Sequence, residues 1–293
     1  MFINTFLKIL FLSISLRQGA VYAARFYCSQ KVFHPGDLIM VHLIKEDRDS
    51  TLRVTENKQE RRLYPYSSRA CHRNHYFFFT GFDIKYYPSQ VTYKIYSAAG
   101  CRTIIKHLQP VSIAAGKVKL KRTQKKKLAA ATRRNRKLAM AENKFFHNFF
   151  SNESTNIYWE GGFIQPVAVC RLSSAYGKLR TYSTGRKSYH RGVDYAAPTG
   201  TSVRAVNRGR VVYAGRKRMR GRIIVIDHGG NLFTTYWHLN NILVQTGSIV
   251  EKGAAIGTVG ETGLASGPHL HFGVRILSMP VNGEMLWQLD IDN

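Results

Sequence analysis

The chain has 293 residues, 44% of them hydrophobic and 12% aromatic, which is enough apolar material for packed cores and excludes a wholly disordered polymer. Its 44 Lys and Arg stand against 17 Asp and Glu, a formal net charge of +27. A surface that basic attracts polyanions: nucleic acid, anionic lipid, or the acidic polymers of a cell envelope.

The first element is an address. Lys8 precedes the apolar run Ile9 to Leu16, and small residues follow up to Val21-Tyr22-Ala23-Ala24. A basic start, a short apolar stretch and a small-x-Ala site predict a secretory signal peptide over residues 1–23. A membrane span needs roughly 20 apolar residues, and Asn4, Lys8 and Arg17 leave too little room for one, so no span is expected after signal removal. Export favours the envelope and makes nucleic acid an unlikely partner. Cys28, Cys71, Cys101 and Cys170 suit an oxidising compartment, with the pairing left open, and the absence of any C-x-x-C spacing gives no support to a zinc ribbon.

Residues 24–113 read as strands separated by polar turns, among them Asp37–Leu43 after Pro35-Gly36, Tyr76–Thr80 and Val91–Tyr96. Short β-branched and aromatic runs of this kind predict an Ig-like β-sandwich, and nothing in it reads as catalytic. His72 and His75 fall in a polar stretch and read as surface residues. From 114 to 156 the composition turns to Lys, Arg and Ala, with Glu142 the first acid, which predicts a basic helical linker able to attract anionic envelope polymers. Phe145, Phe146, Phe149 and Phe150 at its far end would dock one helix face on a core.

Residues 157–293 alternate short β runs with glycine turns. Val203–Val206 and Arg210–Ala214 flank Asn207-Arg208-Gly209, and Arg222–Asp227 and Leu232–Trp237 flank His228-Gly229-Gly230-Asn231; both read as hairpins in an antiparallel β domain. The fold class is therefore mainly β throughout. His228 is assigned a turn role.

Three histidine segments lie inside this last domain. His190 and Asp194 are four apart on an extended chain and share a face. His269 and His271 are two apart and also share one, so that one imidazole can reach a metal and the other can stand beside it. His238 closes the segment Tyr236-Trp237-His238-Leu239. Two His and one Asp make a three-ligand set that leaves the fourth zinc position open, as catalytic sites do.

These segments resemble the lysostaphin-type (LytM-type) zinc metallopeptidases of bacterial peptidoglycan. The likeness runs from about Phe163 to Pro280. It includes Ser174 to Gly177, His190 to Thr201, Tyr236 to Leu239, Gly247 to Gly253, Gly260 to Gly263 and Gly267 to Phe272. The β segment with Gly81 to Ile84 and Tyr93 to Ile95 looks like the accessory sandwich found ahead of some such domains. The resemblance implies one Zn2+ held by His190, Asp194 and His271, with His238 and His269 as the catalytic pair. It further implies hydrolysis of peptide cross-links by a metal-activated water, in the periplasm or cell envelope, with a Gram-negative wall favoured. The alternative is a non-catalytic wall-binding protein or an activator of another cell-wall hydrolase. The bond cut and the division of labour between the two catalytic histidines stay open.

Overall fold

The structure, a computed structural model, describes residues 24–30, 32–45, 52–65, 75–85, 87–97, 100–109, 115–116, 132–151, 154–181 and 187–289. The signal read at 1–23, Cys71, His72 and the basic stretch 117–131 lie outside the described residues.

Among the described residues, eight strands make the N-terminal part: β1 (Ala24–Cys28), β2 (Leu38–Lys45), β3 (Arg53–Glu56), β4 (Gln59–Arg61), β5 (Tyr64–Pro65), β6 (His75–Gly81), β7 (Gln90–Ser97) and β8 (Gly100–His107). They form two antiparallel sheets, in the orders β1-β2-β6-β5 and β4-β3-β7-β8. Between them lies a core in which Ile39, Val41, Leu43 and Phe78 meet Val54, Val91, Tyr93 and Ile95.

The first sheet also buries its other face. Leu38, Met40, Tyr64, Phe77 and Phe79 belong to the same core cluster as Trp159, Phe163, Val193 and Tyr236 of the C-terminal part. A strand buried on both faces has no reason to alternate, and this is why β6 reads as an unbroken aromatic run. Polar contacts follow the same seam: Tyr64 donates to the Ser154 carbonyl at 2.7 Å, and Arg191 pairs with Asp83 at 2.9 Å. Gly36 has φ +94°, and a Cβ there would stand 2.7 Å from the Tyr176 ring, so both the turn and the close approach require glycine.

The reading of His75 as a surface residue is corrected. It is buried at the start of β6, paired with Ile44 of β2, and its Nε2 lies 3.0 Å from Nδ1 of His42. The polar stretch simply ends one strand residue earlier than its composition suggests. Burial, reinforced by His75, pushes His42 down to about 4.

After the short β9 (Ala115–Gly116), helix α1 (Thr132–Phe150) docks Phe146 and Phe150 on Ile223, Val225 and Phe233. The C-terminal part holds β10 (Arg171–Ser174), β11 (Leu179–Thr181), β12 (Lys187–Tyr189), β13 (Val193–Ala196), β14 (Ser202–Arg204), β15 (Gly209–Lys217), β16 (Gly221–Gly229), β17 (Leu232–Leu239), β18 (Asn241–Ile242), β19 (Ile249–Val250), β20 (Ala255–Thr258), β21 (Leu270–Ile276) and β22 (Met279–Val281). The main sheet runs β10-β13-β21-β17-β16-β15-β19, with β22 on β21, and a small sheet β14-β20-β18 packs with it. In a third sheet, β12-β11-β9, the N-terminal segment joins the C-terminal part through a parallel pairing of β9 with β11.

The β16–β17 hairpin turns at Gly229-Gly230-Asn231. The other expected hairpin does not form: β14 pairs with β20, and β15 pairs with β16 and β19. Asn207 explains the difference. Fully buried, it donates through Nδ2 to the carbonyls of Glu160, Gly161 and Gly162 and accepts from the amides of Glu160 and Arg208. The turn-like residues therefore tie a crossover between sheets.

His228 is likewise no turn residue. It is fully buried in β16, with Nδ1 2.9 Å from the Arg208 carbonyl and Nε2 2.8 Å from Thr234 Oγ1. Burial holds its pKa near 4, with the Arg208 bond opposing. Between about pH 6.5 and 4 the unfolded chain then binds a proton that the folded chain refuses, so stability falls as pH falls through that window. Urea midpoints should decline from pH 7 to 4, and His228→Gln should flatten that slope whatever its effect at pH 7; an unchanged slope would refute the assignment.

Cys28, Cys101 and Cys170 are free thiols, and burial raises Cys28 to about 12. Among the described residues no helix is long and apolar enough to cross a membrane.

Candidate active site

The register of the main sheet builds the site. Asp194 of β13 stands directly opposite His271 of β21, and His271 stands opposite Trp237 of β17. His190 lies in the short loop between β12 and β13, two residues ahead of Gly192. A Cβ on Gly192 would lie 2.7 Å from the His271 ring and 2.6 Å from the Phe272 carbonyl, so only glycine lets that ring in.

The structure brings His190, Asp194 and His271 together. His190 Nε2 is 3.0 Å from His271 Nδ1 and 3.0 Å from Asp194 Oδ1, and His271 Nδ1 is 2.7 Å from the same oxygen. All three residues are buried. Zinc bonds of about 2.0–2.1 Å in tetrahedral array need donors separated by about 3.3 Å. The observed triangle is slightly tighter than that, and it is closed by donors of the correct chemistry. Among the described residues this is the one group of His, Cys, Asp or Glu able to hold a metal ion in this way.

Outer contacts fix each donor. His190 Nδ1 lies 3.0 Å from the Ala175 carbonyl and 3.2 Å from Ser174 Oγ, which leaves Nε2 for the triangle. Trp237 stacks on His271 with ring centroids 4.3 Å apart and planes at 27°. Burial by itself would raise the Asp194 pKa. The hydrogen bonds and charges of His190 and His271 outweigh it and hold the carboxyl well below its ordinary range. Burial depresses His271 to about 3, against the pull of Asp194, so its imidazole is neutral and able to ligate.

His238 and His269 stand beside the triangle, ring centroids 4.9 Å apart, with His269 Nε2 3.9 Å from Asp194 Oδ1. Nδ1 of His238 meets the Thr262 carbonyl at 2.8 Å, and Nδ1 of His269 meets the Gly267 carbonyl at 2.8 Å. A carbonyl can only accept, so each Nδ1 carries hydrogen, and Nε2 is the nitrogen left facing the site. Burial, then the neighbouring His269, lowers His238 to about 4. His238 also has φ +64°, an uncommon left-handed conformation for a residue with a side chain.

Arg180 was not legible as a site residue. Its Nη2 reaches Asp194 Oδ2 at 2.6 Å and Ser174 Oγ at 3.2 Å from β11, in a different sheet. No sequence spacing links it to Asp194. It occupies the carboxylate oxygen that the triangle leaves over.

The family model "Peptidase family M23" matches residues 188–283, which contain all five histidine and aspartate side chains just described. This segment is a peptidase family M23 domain. Over 124 residues the chain is 41% identical to the DD-carboxypeptidase/endopeptidase Mpg of Neisseria meningitidis serogroup B, covering 42% of this chain and 29% of that protein. Over 108 residues it is 40% identical to the peptidoglycan DD-endopeptidase ShyC of Vibrio cholerae serotype O1, covering 36% of this chain and 25% of ShyC. The chain thus spans less than a third of the length of these curated relatives. Outside the M23 domain the likeness is one of fold: a crystal structure from Pseudomonas aeruginosa described as peptidase M23 superposes with TM-score 0.62 at 20% identity, covering 86% of this chain and 94% of that one.

Proposed function

We propose that the chain is a zinc-dependent endopeptidase that hydrolyses peptide cross-links of bacterial peptidoglycan. The observation that carries this reading is the closed triangle of His190, Asp194 and His271 with two further imidazoles beside it. The names of the relatives supply the substrate, since ShyC is a peptidoglycan DD-endopeptidase and Mpg a DD-carboxypeptidase/endopeptidase. Export to the cell envelope follows from a substrate that lies there. In this reading residues 24–113 serve as an accessory domain, 114–156 as a basic connector, and 157–293 as the peptidase.

His190, Asp194 and His271 would hold the zinc. When bound, the ion would supply a Lewis acid that polarises the scissile carbonyl and acidifies a water. Amide hydrolysis also needs a proton taken from that water and one delivered to the leaving amine. The Nε2 of His238 or His269 can accept the first, and the same imidazole, once protonated, can donate the second or hold the developing oxyanion. Arg180 engages the second oxygen of Asp194, which leaves Oδ1 for the triangle. No member of the five-residue set is substituted, which weighs against a purely binding or activating role.

Purified peptidoglycan incubated with the zinc-loaded chain should release fragments in which cross-linked dimers have become monomeric stems, read by chromatography and mass. Wall binding with no change in the dimer fraction would overturn the peptidase reading in favour of an activator. Because peptide stems bear free carboxylates, wall retention should weaken as salt rises.

A further inference from the structure

Helix α1 does more than connect. Glu142, buried on its inner face, spends both carboxylate oxygens on one turn of the M23 domain: Oε1 accepts from the Met219 amide at 2.8 Å and Oε2 from Arg220 Nη1 at 2.8 Å. The Arg220 guanidinium, which also reaches Asn143, lies between two aromatic rings, 5.1 Å from the centre of Phe146 and 4.6 Å from that of Trp237. Trp237 in turn stacks on the proposed zinc ligand His271.

The same turn reaches the other half of the site through the backbone. The Arg220 carbonyl accepts from the His238 amide at 3.0 Å. Gly221 is pressed so closely on Thr262 that a Cβ would stand 2.3 Å from its carbonyl oxygen, and that carbonyl is the one that holds His238 Nδ1 at 2.8 Å.

A buried ion pair adds little net stability, because desolvation offsets most of its attraction. Four phenylalanines already dock the helix. What Glu142 adds is placement. We infer that Glu142, acting through Arg220, is a positioning residue that sets the ring orientation of both His271 and His238, so that the docked helix is part of the active site. The inference rests on the metal-centre reading only for its zinc readout.

The test uses the full chain with Glu142→Leu combined with Arg220→Met, an apolar pair of similar volume that keeps the helix docked, and Glu142→Gln alone as a milder variant. Zinc affinity is measured by competition with a chromogenic chelator, and the imidazole ring signals of zinc-free protein by NMR. The double variant should bind zinc about tenfold more weakly, as loss of outer contacts to a ligand does, and shift the His271 and His238 ring signals. Glu142→Gln should move the same signals by less. Phe149→Ala, which loosens the helix against Tyr213 without touching Arg220, should leave them in place. Unmoved ring signals in a folded double variant, or in Glu142→Gln should the double variant not fold, would overturn the inference. Should the wild-type chain bind no zinc, the metal-centre reading fails by itself, and the ring signals still decide the positioning role.

Discussion

Replacing His271 with alanine is expected to cost both the zinc and the activity, whereas His269→Ala should cost the activity alone. His271 closes the donor triangle, with Nδ1 2.7 Å from Asp194 Oδ1 and 3.0 Å from His190 Nε2. Without it two donors remain, too few for a tetrahedral zinc site. Zinc content at equimolar supply should therefore fall towards zero and cleavage by about a thousandfold or more. His269 stands outside the triangle, with Nε2 3.9 Å from Asp194 Oδ1 and Nδ1 tied to the Gly267 carbonyl. Removing it leaves the three donors intact and takes away one of the two proposed proton-transfer groups, for which a loss of about 10² to 10⁴ is usual. Metal stoichiometry by elemental analysis, measured beside turnover on cross-linked muropeptides, separates the two cases. Equal zinc loss in both variants would show that the ligand and catalyst assignments are wrong.

The pairing of candidate side chains was readable from spacing, whereas the ligand set and the catalytic pair were implied only by the family resemblance. Side chains two and four apart on extended chain share a face, so His269 with His271, and His190 with Asp194, announce themselves without any knowledge of the sheet. What periodicity cannot supply is the partner strand. Arg180 reaches Asp194 from another sheet, and Glu142 reaches Arg220 across 78 residues of chain. Neither pairing leaves a spacing signal. Local turn chemistry misled for the same reason: Asn207-Arg208-Gly209 has the residues of a hairpin turn, yet the Asn side chain is committed to the 160–162 loop. The mainly β class was legible from short aromatic and β-branched runs. That one sheet of the N-terminal part would be buried on both faces was foreshadowed only by the missing alternation in Tyr76 to Phe79.

That shared layer leads to the second large expectation. Phe77→Ala should destabilise the N-terminal part and the M23 domain together. The ring is 1% exposed and sits edge-on to Phe79 at 5.4 Å and to Trp159 at 5.6 Å, with Tyr64 at 5.7 Å. Truncating a buried phenylalanine costs about 3–5 kcal/mol, which for a chain of this size lowers Tm by about 10 °C. Phe78 points the other way, into the sandwich core with Tyr93, 6.1 Å between ring centres. Its alanine variant should lose comparable stability, but in a cavity remote from Trp159. If the two parts unfold as one cooperative unit, calorimetry will show a single transition displaced in both variants. Trp159 emission in the folded state should change in Phe77→Ala only, because only that cavity opens beside the indole. Two resolved transitions, of which Phe77→Ala moves just the N-terminal one, would mean that the aromatic contact across the seam contributes no coupling. A chain stitched by Phe77, Phe79 and Trp159, by the β9–β11 pairing and by the Arg191–Asp83 pair gives physical reason to expect one transition.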